Sequence, residues 1–497
     1  MMKILLVYPK YPETFWSFRH ALKFVAKKAA FPPLGALTVA AMLPKEWEKK
    51  LIDENVSKLK DKDIEWADMV FISAMLAQGE SAKRIIQRCR EKGKTVVAGG
   101  PAFTSQHEKF KDVNYFVLNE AEITLPMFLK DLEQGKLKHV YTSKERPDIS
   151  KTPLPLWELV KFSKYSSMAI QYSRGCPFNC EFCDIIIMNG RYPRTKTPSQ
   201  MINEFQHLHN AGWRGSIFVV DDNFIGNKAN VKQMLPELIN WQKSHKYPFM
   251  FLTEASVNLA EDEELMEMMS KANFHKVFLG IETPNTESLK ECGKMQNTNK
   301  DLAESIRKIH NHGMQVMGGF IVGFDNDNEM IFDRQMSFIQ KTGIVTAMIG
   351  TLTALPNTQL WHRLKKEGRL KGDTTGENTE VNVNFIPKMG KEKLAEGYKN
   401  LVSKAYSYKN YYQRANTFLK DYKPTVVSRL KKQDIRAFLG SMVRIGVFSK
   451  ASPRYWKLLI KTSVTKRKAF PLAVELAICG LHFKKFAKRT ARVAQSK

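Results

Sequence analysis

Apolar and polar positions change their period twice along this 497-residue chain, which marks out three regions. Over residues 1–145, short apolar runs recur without polar alternation: KILLVY at 3–8, KLID at 50–53, MVFIS at 69–73, TVVAG at 95–99 and YFVL at 115–118. Such runs suit parallel strands buried on both faces. Residues 34–43 and 81–92 between them carry the helical period. The alternation predicts a doubly wound, flavodoxin-like α/β sheet, whose ligands bind at the carboxyl ends of the strands. Those ends read Pro9-Lys10-Tyr11-Pro12, Ser73-Ala74-Met75, Gly99-Gly100-Pro101 and Asn119-Glu120-Ala121-Glu122.

A connector over 146–165 holds Pro147, Pro153 and Pro155, which discourage regular pairing. A second alternation fills 166–370. It predicts strands at 168–173, 216–220, 249–253, 276–280, 315–322 and 347–353, with a helix at 199–211 after the first. Six such units fit a partial (β/α)6 barrel of the TIM type, with its chemistry on the loops that follow the strands. From 371 to 497 the strands stop. A polar stretch at 372–384 gives way to basic helices.

Charge sharpens the third region. Of a net +28, +20 lies in residues 401–497, with 23 Lys and Arg against 3 Asp and Glu. Anionic membrane and nucleic acid are the partners such a segment suits, and a merely solvated basic face is the bland alternative. Arg444, Lys450, Arg454, Lys457 and Lys461 interleave with Phe448, Tyr455, Trp456 and Phe470. That mixture favours an interfacial helix on anionic lipid, ahead of aromatic stacking on RNA. No apolar run reaches the length of a membrane span; 469–483 comes nearest and carries Glu475. The opening run before Pro9 is too short for a signal peptide. Six cysteines, three of them clustered, suit free thiols in a reducing cytoplasm.

The cluster is Cys176, Cys180 and Cys183, spaced C-x3-C-x2-C. Four thiolates would close an iron–sulfur cluster, whereas three leave one iron open to another ligand. Zinc completed by a distant residue is the alternative, although zinc cysteines usually come as two pairs. Downstream, Asp222 ends the second barrel strand, where a carboxylate could hold an ammonium. Glu254 and Glu282 end the third and fourth and could hold a hydroxyl or amino group; a cap or structural role is the competing account of each. Gly319, within Gly318-Gly319-Phe320, permits close approach to a strand.

Taken in order, C-x3-C-x2-C, Asp221-Asp222-Asn223-Phe224, Gly280-Ile281-Glu282, GGFIVGFD at 318–325 and LTALPNT at 352–358 follow a flavodoxin-like sheet. Together they resemble the cobalamin-binding (class B) radical SAM methylases over roughly 1–480. The C-terminal region resembles the extension found in a subset that includes the hopanoid C-2 methylases. The resemblance implies a 4Fe–4S cluster on the three cysteines, with S-adenosylmethionine on the open iron giving a 5′-deoxyadenosyl radical. Phe182 would lie against the adenine, or simply pack around the cluster, and Asp222, Glu254 and Glu282 would grip the co-substrate. Cobalamin would lie between the first sheet and the barrel mouth, faced by Ser73, Met75, Gln78, Gly99, Gly100, Glu120 and Glu122. Asn119 stands where relatives often carry Gly. No D-x-H-x-x-G occurs, and His20, His107 and His139 lack its neighbours, so no histidine is expected below the cobalt. The implied reaction is methyl transfer to an unactivated carbon of a hydrophobic lipid such as a hopanoid, fed by a reductant such as ferredoxin or flavodoxin. A carbon–carbon bond former, cyclase or oxidase using cobalamin without methyl transfer is the first alternative, and a non-catalytic cobalamin- or metal-binding regulator the second. The expected location is cytoplasmic, peripheral on the inner membrane face.

Overall fold

A computed structural model describes residues 1–377, 379–425 and 430–493. Arg429 and Lys497 of the basic segment lie outside the described residues.

The first sheet is parallel, in the order β2-β1-β3-β4-β5-β6. Its strands are β1 (Lys3–Tyr8), β2 (Glu48–Asp53), β3 (Met69–Ser73), β4 (Thr95–Gly99), β5 (Tyr115–Val117) and the two-residue β6 (Val140–Tyr141). The order reverses between β1 and β3, which opens a crevice at their carboxyl ends, as doubly wound sheets require. Helices cover both faces: one core holds Leu5, Val7, Val70 and Phe103, the other Ile4, Leu6, Phe71 and Phe128.

The second sheet is also parallel and sequential: β14 (Ala347–Thr351), β13 (Gln315–Val322), β12 (Phe274–Glu282), β11 (Phe249–Ala255), β10 (Gly215–Val219) and β7 (Ser167–Ile170). The strand expected over 168–173 breaks after Ile170. Buried Asp221 accepts the Tyr172 N–H (2.7 Å) and the Ser173 hydroxyl (2.6 Å), drawing the backbone off the ladder. The chain then forms a small antiparallel pair, β8 (Ser173–Arg174) with β9 (Arg194–Thr195), and the cysteines hang from it.

The C-terminal helices Lys391–Ala405, Tyr408–Asp421, Ser452–Thr465 and Phe470–Val493 share one continuous core with the barrel. Arg414 is fully buried there, and its guanidinium donates to Gln340 and the Ala405 carbonyl. The segment after β1 joins the same core, with the Phe15 ring stacked on Phe483 at 4.5 Å. Of the aromatics expected at an interface, Tyr455 turns inward and is fully buried, and the Trp456 indole donates to the Gly446 carbonyl. No helix among the described residues is long and apolar enough to cross a membrane.

Candidate active site

The cysteine loop is held from two sides. Gly175 sits at φ +103°, and a Cβ there would lie 2.7 Å from the Tyr192 carbonyl, so only glycine makes this turn. Before it, Arg174 donates to Glu120 (2.8 Å) and Glu122 (2.7 Å), and Arg194 donates to Glu120 (2.8 Å). Arg146 reaches Glu120 at 3.4 Å and donates to the Ile187 carbonyl at 2.6 Å. Glu120 and Glu122 line the cavity, but their carboxylates are committed to the cysteine loop. Charge-assisted pairs of this kind fix geometry as well as adding energy. On the other side, Glu181 accepts from Arg363 (2.5 and 3.0 Å), which also donates to Asp325 (3.0 Å). Burial would raise the Asp325 carboxyl, but Arg369 and Arg363 hold it at about 2. LTALPNT ends in Thr358, which caps the helix Gln359–Lys366 that carries Arg363.

Lys294 supplies a cation to the thiols. It pairs with Glu282 at 2.8 Å, and its charge acts on Cys176, Cys180 and Cys183. Burial pushes the Cys176 and Cys183 thiols up, and Lys294 opposes this by favouring thiolate. Gly280 makes the pairing possible, since a Cβ there would lie 2.7 Å from the Lys294 ammonium. Glu282 is therefore turned to Lys294. Among the described residues no three His, Cys, Asp or Glu side chains converge as for a single ion. Thiolates on separate irons of one cluster need no such convergence. Phe182 packs near Phe324, with ring centres 6.2 Å apart.

One cavity of about 2530 Å³ joins the crevice of the first sheet to the barrel lumen. Its first wall is made by Ser73, Met75, Gly99 and Gly100. A Cβ on Gly99 would meet the Val117 carbonyl at 2.7 Å; Gly100, at φ +92°, lies against the Ser73 hydroxyl. The result is a bare backbone shelf that suits a broad, flat ligand. Gln78 is fully buried beneath it, accepting the Met75 N–H (2.8 Å) and donating to the Pro9 carbonyl. Asn119 adopts φ +61°, a conformation open to Gly and Asn, and its amide donates to Thr142 and Ser143. The histidines that reach the cavity, His245 and His275, are on the barrel.

Across the cavity, Asp222 accepts the Gly175 N–H (3.3 Å) and the Asn189 amide (2.9 Å). Glu254 lines the cavity with no side-chain partner among the described residues. Burial, then Asp222 and Asp221, push its carboxyl up to about 8. An unpaired carboxyl facing two others keeps its proton until a cation arrives to take the proton's place. Gly319 does not meet the cavity; a Cβ there would strike the Phe278 ring at 2.8 Å, so it makes room for Phe278, which does. The arginines and Lys294 escaped the sequence reading, having no spacing that ties them to the cysteines; Arg174, two residues before Cys176, was the nearest signal.

Residues 26–129 match the B12 binding domain, 170–339 the Radical SAM superfamily and 358–496 a domain of unknown function (DUF4070). An uncharacterised methyltransferase of Synechocystis sp. is 44% identical over 92% of this chain and 86% of its own length. The hopanoid C-2 methylase of Rhodopseudomonas palustris is 35% identical over 92% and 89%. The chain belongs to the cobalamin-binding radical SAM methylases. Solved structures share the fold of this methylase. The cobalamin-dependent S-adenosylmethionine radical enzyme OxsB aligns with a TM-score of 0.65 at 16% identity, covering 100% of this chain and 81% of that one. TsrM of Kitasatospora setae, with cobalamin and a [4Fe-4S] cluster bound, aligns at 0.60 and 12%, covering 97% and 99%. The methylase uses a 4Fe–4S cluster, S-adenosylmethionine and cobalamin, and its donor sets fit them: three thiols beside a cation, an orphaned carboxyl and a glycine shelf.

Proposed function

We propose that this methylase acts on an unactivated carbon of a hydrophobic, polycyclic or isoprenoid lipid of the hopanoid kind. Together the bound groups supply hydrogen-atom abstraction and a methyl group. Cys176, Cys180 and Cys183 hold the cluster under the charge of Lys294. Glu254 takes the cationic end of S-adenosylmethionine, with Asp222 orienting the loop beside it. Ser73, Gly99 and Gly100 support cobalamin, and Gln78 fixes the spacing of the two strand-end loops. A reductant such as ferredoxin or flavodoxin feeds the cluster. The observation that carries the reading is the lumen: Phe218, Leu252, Phe278 and Met317 face the cavity and give a rigid hydrocarbon an apolar berth. The test is anaerobic turnover with methyl-labelled S-adenosylmethionine and a hopanoid-rich lipid extract. Label is expected in the lipid fraction; 5′-deoxyadenosine without labelled lipid would reject a lipid substrate.

A further inference from the structure

TIM-type barrels usually fill their lumen with side chains, but here the cavity continues down the lumen to the opposite end. There it is bounded by the loops before β10 and β11, with Arg214, His245 and Tyr247, and by Leu430, Lys431 and Ile435. Lys431 ties this rim together, its ammonium donating to the Arg214 carbonyl. The helix Lys432–Ser441 starts at the rim and runs on into a π-helical turn, Met442–Val447.

Along this unit Ile435, Leu439, Val443 and Val447 stand four residues apart and are 52–66% exposed. A spacing of four lies between the α turn and the wider π turn, so they form one stripe. Phe448 continues it at 81% exposure, and Ile460 and Val464 add a second exposed pair on the neighbouring helix Ser452–Thr465. A soluble surface does not leave so many large apolar side chains together without a partner.

The charge around the stripe names that partner. Residues 430–474 carry 11 Lys and Arg against one acid, Asp434. Asp434 is itself occupied by the Lys431 N–H (2.8 Å). Arg436, Arg444, Lys450, Lys457 and Lys461 are exposed beside the apolar residues. A second copy of this face would meet the same positive field and be repelled, whereas an anionic leaflet offers hydrocarbon beneath a negative surface.

We propose that the stripe over 435–448, with Ile460 and Val464, docks this protein on an anionic bilayer, and that the lipid substrate enters the lumen through the rim beside it. The entry route rests on the lipid reading above; the docking does not. Burial of the stripe anchors the protein at the acyl boundary, the lysines and arginines hold it to the headgroups, and Leu430 and Ile435 lead from the bilayer to the lumen.

Flotation of the full chain with vesicles tests this. Vesicles of phosphatidylcholine and phosphatidylglycerol should bind about tenfold or more tightly than phosphatidylcholine alone. The double variant Val447→Asp, Phe448→Asp should lose about tenfold or more of that binding with its thermal melting unchanged. Lys457→Glu with Lys461→Glu, on a different helix, should weaken it as well. The proposal is overturned if phosphatidylglycerol vesicles are not bound, if both variants bind like the parent, or if binding is equal on the neutral vesicles. Salt-sensitive retention of RNA without vesicle binding, or a dimer that the double variant dissolves, also overturns it. Methylation of detergent-dispersed lipid without vesicle binding removes the docking alone. Vesicle binding with no labelled lipid removes the substrate reading alone.

Discussion

The two parallel sheets use strands of similar apolar character, and their central strands β1, β3 and β4 on one side and β10 and β11 on the other treat their faces differently. In the first, the central residues of β1, β3 and β4 are buried whichever way they point, because helices close both sides. In the second, β10 and β11 alternate strictly. Ile217, Val219 and Phe251 are buried against the outer helices, while Phe218, Leu252 and Glu254 are only half-buried against the lumen. The first sheet is a finished core that offers its end to a cofactor. In the second, β10 and β11 leave their inner face for something the chain does not supply, and that separates a platform from a reaction chamber.

Four experiments would break or sharpen that contrast. The largest effect belongs to Cys180→Ala, which should reduce cluster iron and 5′-deoxyadenosine formation to background while the first sheet still binds cobalamin; iron analysis and cobalamin absorbance read the two separately. Next, Arg174→Gln cuts the junction between the sheets and strands Glu120 and Glu122 half-paired. Breaking a buried pair in this way costs about 3–5 kcal/mol, visible in denaturant unfolding. Comparable in size, and a direct probe of the open interior, is Phe251→Ala against Phe218→Ala. The outward ring should cost about 3–5 kcal/mol and the inward one about 1 kcal/mol. Equal costs would mean the lumen is as packed as the outer face. The smallest effect is at the mouth: Glu254→Gln should weaken S-adenosylmethionine binding by about tenfold to a hundredfold. Since burial holds the parent carboxyl near 8, it must lose its proton to pair with a cation. Affinity should therefore rise with pH up to about 8 in the parent and stay flat in the variant, as equilibrium dialysis can measure.

Much of this architecture was legible beforehand. The bounds of β1, β3, β4 and β13 agree with the apolar runs, because a continuous Val/Ile/Leu run between turn residues has few other uses. Strand β6 was missed, since two residues carry no period. The C-terminal region read as basic helices, which it is, but periodicity does not say what a helix packs against, so burial of Arg414 and Tyr455 within the barrel's core was invisible. At the site, spacing singled out the cysteines, and the strand ends pointed to Asp222 and Glu254, which the fold sets on one cavity. What it could not give was pairing across dozens of residues: Glu120 looked free for a ligand until Arg174 and Arg194 closed on it.

That same junction bears on how the protein can be taken apart. Excising residues 1–145 would deprive Arg174 and Arg194 of their carboxylates just where the thiols are launched. The barrel is thus no freestanding module, and a shortened version made for convenience would misplace its metal centre even with every ligand still in its sequence.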